Sequence, residues 1–196
     1  MNIEYVLVDS ERKNYMPQLK KGIYTIEDIY ALPDGQRAEL IDGVIYNMTP
    51  PSRIHQKLIN RLSQKVTNYI DSKNGDCEVY PSPFAVFLDA DETYVEPDLS
   101  VICDKNKLDD RGCNGAPDLV IEVVSPSSRK MDYSIKNGKY AASGVREYWI
   151  VDPDKERTTI YQFEDDATPT IILFSQPIQA GIYRDLVINI SELLDK

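Results

Sequence analysis

The chain of 196 residues carries 22 Lys and Arg against 32 Asp and Glu, a formal net charge of −10, and so is sized for one domain with a real core. That charge, without any Lys/Arg block, excludes a protein that grips nucleic acid through a broad basic surface, although a local patch can be positive on an acidic protein. A single histidine excludes metal sites built from several imidazoles of one chain, which removes most zinc hydrolase designs.

The three cysteines, Cys77, Cys103 and Cys113, are an odd number at spacings that fit neither a disulfide framework nor a zinc ribbon, and they read as buried or incidental thiols of a reducing compartment. No run of about 18 apolar residues predicts a transmembrane helix. The start, Met1 to Ser10, has an early acid and no basic region before an apolar stretch. No signal peptide and no membrane partner are expected, and the cytoplasm is the expected compartment.

Residues 1–24 read as an N-terminal arm and residues 25–196 as a single domain. Thr25 is placed to cap a short helix through Leu32, with Asp28 as capping-box partner, ended by Pro33-Asp34-Gly35. Arg37 to Met48 alternates around Asp42-Gly43, a hairpin signal that sets Glu39 on the first of two antiparallel strands. Ile54, Leu58, Ile59, Leu62, Val66 and Ile70 recur at steps of three and four and predict a long helix, stopped at Asn74-Gly75, with His55 near its start. A lone histidine there is first a surface or packing residue.

Cys77 to Leu88 reads as strand broken at Pro81-Ser82-Pro83, and Tyr94 to Cys103 as an acidic strand on which Glu96 and Asp98 share a face. Asp104 to Gly115 reads as an exposed loop. A second acidic strand, Ala116 to Val124, puts Asp118 and Glu122 on one face, about 13 Å apart, so that Asp118 reads as a strand-entry or loop-fixing acid. Met131 to Ser143 reads as helix with Asp132, Lys136 and Tyr140 on one face, stopped by Gly144. Strands follow at Val145 to Val151, Thr158 to Phe163, Thr170 to Phe174 and Tyr183 to Ile188, then a helical turn from Ser191.

Carboxylates in otherwise apolar strands must be hydrogen-bonded, paired, protonated or bound to a cation. If the two acidic strands are neighbours, Asp98 and Glu122 converge, and converging oxygens suit a hard ion such as Mg²⁺. The alternative is that these acids cap strand ends or pair with surface Lys and Arg. Ser125 and Ser127 at the strand end have no adjacent base and read as turn or capping residues.

The block Gly115 to Ser128, followed by Asp132, Lys136, Tyr140 and Gly144 to Pro153, together with Ala38 to Gly43, His55 and Val95 to Asp98, closely resembles the Uma-two family of restriction-endonuclease-like proteins over about residues 25–190. The resemblance implies an α/β (α+β) fold of the PD-(D/E)XK nuclease superfamily, a mixed central sheet flanked by helices, with additional antiparallel strands. It implies that Asp98 and Glu122 are catalytic metal-binding acids for Mg²⁺ or Mn²⁺ in an endonuclease hydrolysing phosphodiester bonds of DNA, the nucleic-acid partner, in a homodimer. The lysine position of E-x-K is Val124, so the resemblance makes Lys136 a migrated replacement. Glu39, His55, Asp118 and Tyr140 are the supporting candidates. The rivals are a nuclease-like module that binds nucleic acid or assembles without cutting, and a metal-dependent phosphohydrolase of small nucleotides.

Overall fold

The computed structural model describes residues 24–89, 92–165 and 168–195. The expected arm over residues 1–24 lies, except for Tyr24, outside the described residues. In chain order the elements are α1 (Ile26–Tyr30), β1 (Ala38–Ile41), β2 (Val44–Asn47), α2 (Arg53–Ser72), β3 (Glu78–Pro81), β4 (Val86–Asp89), β5 (Thr93–Val95), β6 (Leu99–Ile102), a 3₁₀ turn (Lys105–Lys107), β7 (Leu108–Asp109), β8 (Gly112–Asn114) and β9 (Leu119–Val123). There follow a π-helix (Met131–Lys136) continued by α3 (Asn137–Ser143), then β10 (Glu147–Asp152), β11 (Arg157–Gln162), β12 (Thr170–Leu173), β13 (Pro177–Gln179), β14 (Val187–Asn189) and α4 (Ile190–Leu194).

The central sheet runs β12-β11-β10-β9-β6-β3, with only β9 and β10 parallel. A second six-stranded sheet runs β2-β1-β5-β4-β8-β7, and β13 with β14 forms a small hairpin. One face of the central sheet, carrying Leu119, Ile121, Val123, Trp149 and Val151, packs on the apolar stripe of α2. The other face, with Val120, Val124, Tyr148 and Ile150, packs on the second sheet and on Met131 and Tyr140. Strand alternation therefore drives Glu122 into the layer between the sheets, opposite α2. This is the restriction-endonuclease-like mixed architecture the resemblance implies.

The local chemistry of several elements matches their sequence. Asp42 and Gly43 take φ values of 51° and 68°, the two left-handed positions of a two-residue hairpin, and this sets Glu39 opposite Tyr46. Ser52 caps α2 by accepting from the His55 amide at 3.2 Å. Gly144, at φ 90°, ends α3.

Other expectations are overturned. Tyr94 to Cys103 is not one strand: Pro97 has no N–H to give to a ladder, and the chain leaves the second sheet after β5 to enter the central sheet as β6. Glu96 and Asp98 therefore do not share a strand face. Glu96 turns to Arg37 and to the Tyr94 hydroxyl, at 2.9 and 2.6 Å. The expected loop from Asp104 to Gly115 holds β7 and β8, and β8 pairs in parallel with β4, burying Cys113. The strand expected from Tyr183 to Ile188 is β14, which starts at Val187 and pairs with an unanticipated β13.

The thiol reading of the cysteines also fails for two of the three. Cys77 and Cys103 flank the facing pair Glu78 and Ile102 of β3 and β6, so strand pairing sets them opposite one another, and they are joined as a disulfide. Among the described residues no helix is long and apolar enough to cross a membrane.

Candidate active site

The C-terminal end of β9 and the entry to β6 meet as antiparallel neighbours, with Leu99 opposite Ile121, and this register brings Asp98 beside Glu122. The Asp98 amide donates to Glu122 Oε2 at 3.2 Å, and the Val123 amide donates to Asp98 Oδ2 at 2.8 Å. Each acid is thus held by backbone next to the other. His55 reaches the same place from the first turn of α2, its Nε2 3.1 Å from Asp98 Oδ2. The His55 Nδ1 is buried without a hydrogen-bond partner among the described residues. A carboxylate oxygen accepts, so the imidazole donates from Nε2 to Asp98.

Lys136 enters from the last residue of the π-helix. Its Nζ lies 2.8 Å from Glu39 Oε1 and 2.9 Å from Glu122 Oε1. Glu39, on β1, also accepts from the Glu96 amide at 2.9 Å, which ties the second sheet to this end of the central one. Tyr140, one turn further along the helix, donates its hydroxyl to Glu122 Oε1 at 2.8 Å. Its ring meets Tyr148 edge to face with centroids 4.9 Å apart.

Glu39, Glu122, Asp132 and Lys136 are each no more than 5% exposed. Three buried carboxylates, with Asp98 beside them, thus surround one ammonium. Burial pushes the Glu122 carboxyl well above its usual range; Lys136 opposes that shift, while Asp98, Asp132 and Glu39 add to it. Asp132 is likewise raised, to about 6, by burial first and against the pull of Lys136. Burial disfavours the Lys136 cation, but Glu122, Glu39 and Asp132 outweigh it and hold the amine well above its ordinary pKa. Lys136 is therefore an ammonium, outnumbered by the carboxyl groups around it, an excess of acids over cations.

That excess, made of hard carboxylate oxygens, fits a small divalent cation. Among the described residues the hydrogen bonds of Asp98 use Oδ2 and Glu122 Oε2 takes one amide, so Asp98 Oδ1 and Glu122 Oε2 retain lone pairs for a ligand. Among the described residues no three His, Cys, Asp or Glu side chains form a ready-made cage. Two carboxylates with water and substrate oxygens are nevertheless the usual environment of Mg²⁺.

Of the residues singled out from sequence, the fold gathers Glu39, His55, Asp98, Glu122, Lys136 and Tyr140. It does not bring Asp118 there: at the opposite end of β9, Asp118 accepts from the Cys103 amide at 2.8 Å and pairs with Arg146 at 3.2 Å. Ser125 is part of a closed turn in which its hydroxyl and that of Ser128 exchange backbone bonds of 3.1 and 3.0 Å. Asp132 shares the lysine's face by the four-residue steps to Lys136 and Tyr140, and its burial there adds to the site a carboxyl that is not among the candidates above. Nothing local signalled that His55 would meet Asp98.

The sequence matches the Uma2 family, described as "Putative restriction endonuclease", over residues 26–182. Two proteins of the cyanobacterium Synechocystis sp. are similar to it. The uncharacterized protein slr1290 is 32% identical over 132 residues, 67% of this chain and 68% of that one. The uncharacterized protein sll1609 is 28% identical over 130 residues, 65% of this chain and 72% of that one. Among solved structures, a "putative nuclease belonging to DUF820" from Anabaena variabilis superposes with a TM-score of 0.72 over 87% of this chain and 97% of its own, at 16% identity, a likeness of fold.

Proposed function

This chain belongs to the Uma2 family, and from that premise we propose that it is a divalent-metal-dependent endonuclease that hydrolyses phosphodiester bonds in DNA. The observation that carries the reading is the coupling of two backbone-tethered carboxylates, Asp98 and Glu122, to a buried ammonium, Lys136. Asp98 and Glu122 are the residues that would hold Mg²⁺ or Mn²⁺. When bound, such an ion supplies Lewis acidity toward a phosphoryl oxygen and lowers the pKa of water to give a nucleophile at neutral pH.

The remaining work falls to the chain. Lys136 is already protonated, so it acts as a donor, orienting a water or meeting negative charge as it gathers on the phosphoryl oxygens, and not as a base. Tyr140, kept protonated by burial first and by the adjacent carboxylates, pins Glu122 Oε1 and turns Oε2 toward the ligand position. His55 does the same for Asp98 through Oδ2. Glu39 anchors the Lys136 ammonium from the far side. Cutting both strands of a duplex needs two such centres, which a homodimer provides.

The test is cleavage of plasmid, single-stranded DNA and RNA in Mg²⁺ or Mn²⁺ by wild type and Glu122→Ala. Metal-dependent cutting of DNA by wild type alone is the expected result. Metal binding without cleavage of any polymer would instead favour a binding or assembly module.

A further inference from the structure

The solvent face of α2 is built unlike the rest of this acidic chain. From Arg53 to Ile70 there is no Asp or Glu, while Arg53, Lys57, Arg61 and Lys65 recur at every fourth position. At 100° per residue these four drift about 120° round the helix, from the side opposite Leu62 to the edge of the stripe that buries Leu58; Gln64 and Asn68 fall between them, and Gln56 and Asn60 extend the face beyond Arg53. Arg53, Gln56, Asn60, Gln64, Lys65 and Asn68 are exposed, and Lys57 and Arg61 are half-buried. Among the described residues none of the four cations pairs with a carboxylate: Arg61 bonds the Gln64 side chain at 3.3 Å and Lys57 donates to the Leu194 carbonyl of α4. By contrast Arg37, Arg129, Lys139 and Arg146 are all ion-paired.

A surface helix normally mixes both signs of charge for solubility and for i,i+4 pairing. A face of cations and amides without a carboxylate, in a chain of net charge −10, forgoes those pairs and can turn N–H donors to an anion with no opposing charge beside them. The anion must be extended, because three steps of four residues span about 18 Å. One strand of a duplex advances about 3.4 Å per phosphate, so the stripe matches roughly five consecutive phosphates. The stripe starts at the end of α2 that carries His55, but about 200° round the helix from it, so that His55 turns inward to Asp98 while Arg53 faces solvent.

We propose that the carboxylate-free face of α2, through Arg53, Lys57, Arg61 and Lys65, is the docking surface for a nucleic-acid backbone. The surface rests on the nuclease reading and supplies what that reading otherwise lacks, a positive track on a negative protein. Sequence is not read there, because amides and cations spaced for phosphates carry no base pattern.

The experiment measures binding of a fluorescent 20-base-pair DNA duplex, and of DNA and RNA single strands of the same length, by anisotropy in Ca²⁺ across a salt series. Wild type is compared with the triple variant Arg53→Gln/Arg61→Gln/Lys65→Gln, sparing Lys57 because it closes α4, and with Lys155→Gln/Arg184→Gln as a charge control. Mn²⁺ affinity is titrated in all three. The triple variant is expected to lose at least about 10-fold in affinity and roughly 2 to 3 units of the log–log salt slope. The control keeps wild-type DNA binding, and all three bind Mn²⁺ equally. Wild-type affinity and slope in the triple variant would overturn the docking surface and leave the nuclease reading intact. A wild type that binds Mn²⁺ but no nucleic acid would overturn both.

Discussion

Asp98 and Glu122 are bonded through each other's backbone: the Asp98 amide donates to the Glu122 carboxylate, and the amide following Glu122 donates to the Asp98 carboxylate. Neither acid can turn away without breaking a bond made by the other's strand. The site is therefore as stiff as the β6–β9 pairing, and Asp98→Asn, which keeps an acceptor oxygen for Val123, is expected to fold with wild-type cooperativity. It loses divalent-ion affinity by more than the roughly 10- to 100-fold that removing an outer partner costs. Calorimetric Mn²⁺ titration checks this.

His55 is such an outer partner. With His55→Ala the Asp98 Oδ2 keeps only the Val123 amide, and Mn²⁺ affinity is expected to fall about 10-fold, with His55→Gln, which can still donate, recovering part of the loss. Equal affinity in wild type and His55→Ala would show that the contact does no positioning.

Lys136 balances two buried acids. Lys136→Met leaves Glu39 and Glu122 without their cation and is expected to destabilise the metal-free fold by about 3 to 5 kcal/mol. Adding Glu39→Gln to Lys136→Met removes one orphaned charge and should restore part of that loss. Urea denaturation of the single and double variants measures the coupling.

Asp132 gives the metal-free protein a definite pH response. Its folded pKa is raised to about 6, chiefly by burial, whereas an unfolded Asp titrates near 3.9. The folded state therefore holds the proton more tightly, and the destabilisation is full above pH 6 and relieved as pH falls from about 6 toward 4. Stability should rise over that window, and Asp132→Asn should flatten the rise in thermal melts made in EDTA.

The Cys77–Cys103 bond closes a separation of 26 residues between β3 and β6. Chain-entropy arguments put its contribution at roughly 3 kcal/mol, so reduction should lower the melting temperature by several degrees. Cys113 is pushed up to about 11 by burial and should stay unreactive toward alkylating reagents in the folded protein.

Features set by near neighbours were legible in the chain. The steps of three and four that bury Leu58, Leu62 and Val66 gave α2, and Asp42-Gly43 gave the β1–β2 hairpin. The four-residue steps from Asp132 to Lys136 to Tyr140 survive although the first turn is π rather than α, because all three still reach the interior. Pairings between distant segments were not legible. Glu39 and Lys136 are 97 residues apart in the chain, and their contact depends on how one sheet stacks on another. The same holds for the disulfide, which follows from the register of β3 on β6. The split of residues 94–103 between two sheets was signalled by Pro97, but a single proline does not say that the chain changes layers.

Whether Glu122 holds a catalytic ion is decided by following Mn²⁺ binding and plasmid cleavage together in wild type and Glu122→Gln, with circular dichroism to confirm that both are folded. Wild type is expected to bind the ion and cut, and the variant, equally folded, to do neither. Undiminished Mn²⁺ affinity and cleavage in Glu122→Gln would contradict that role.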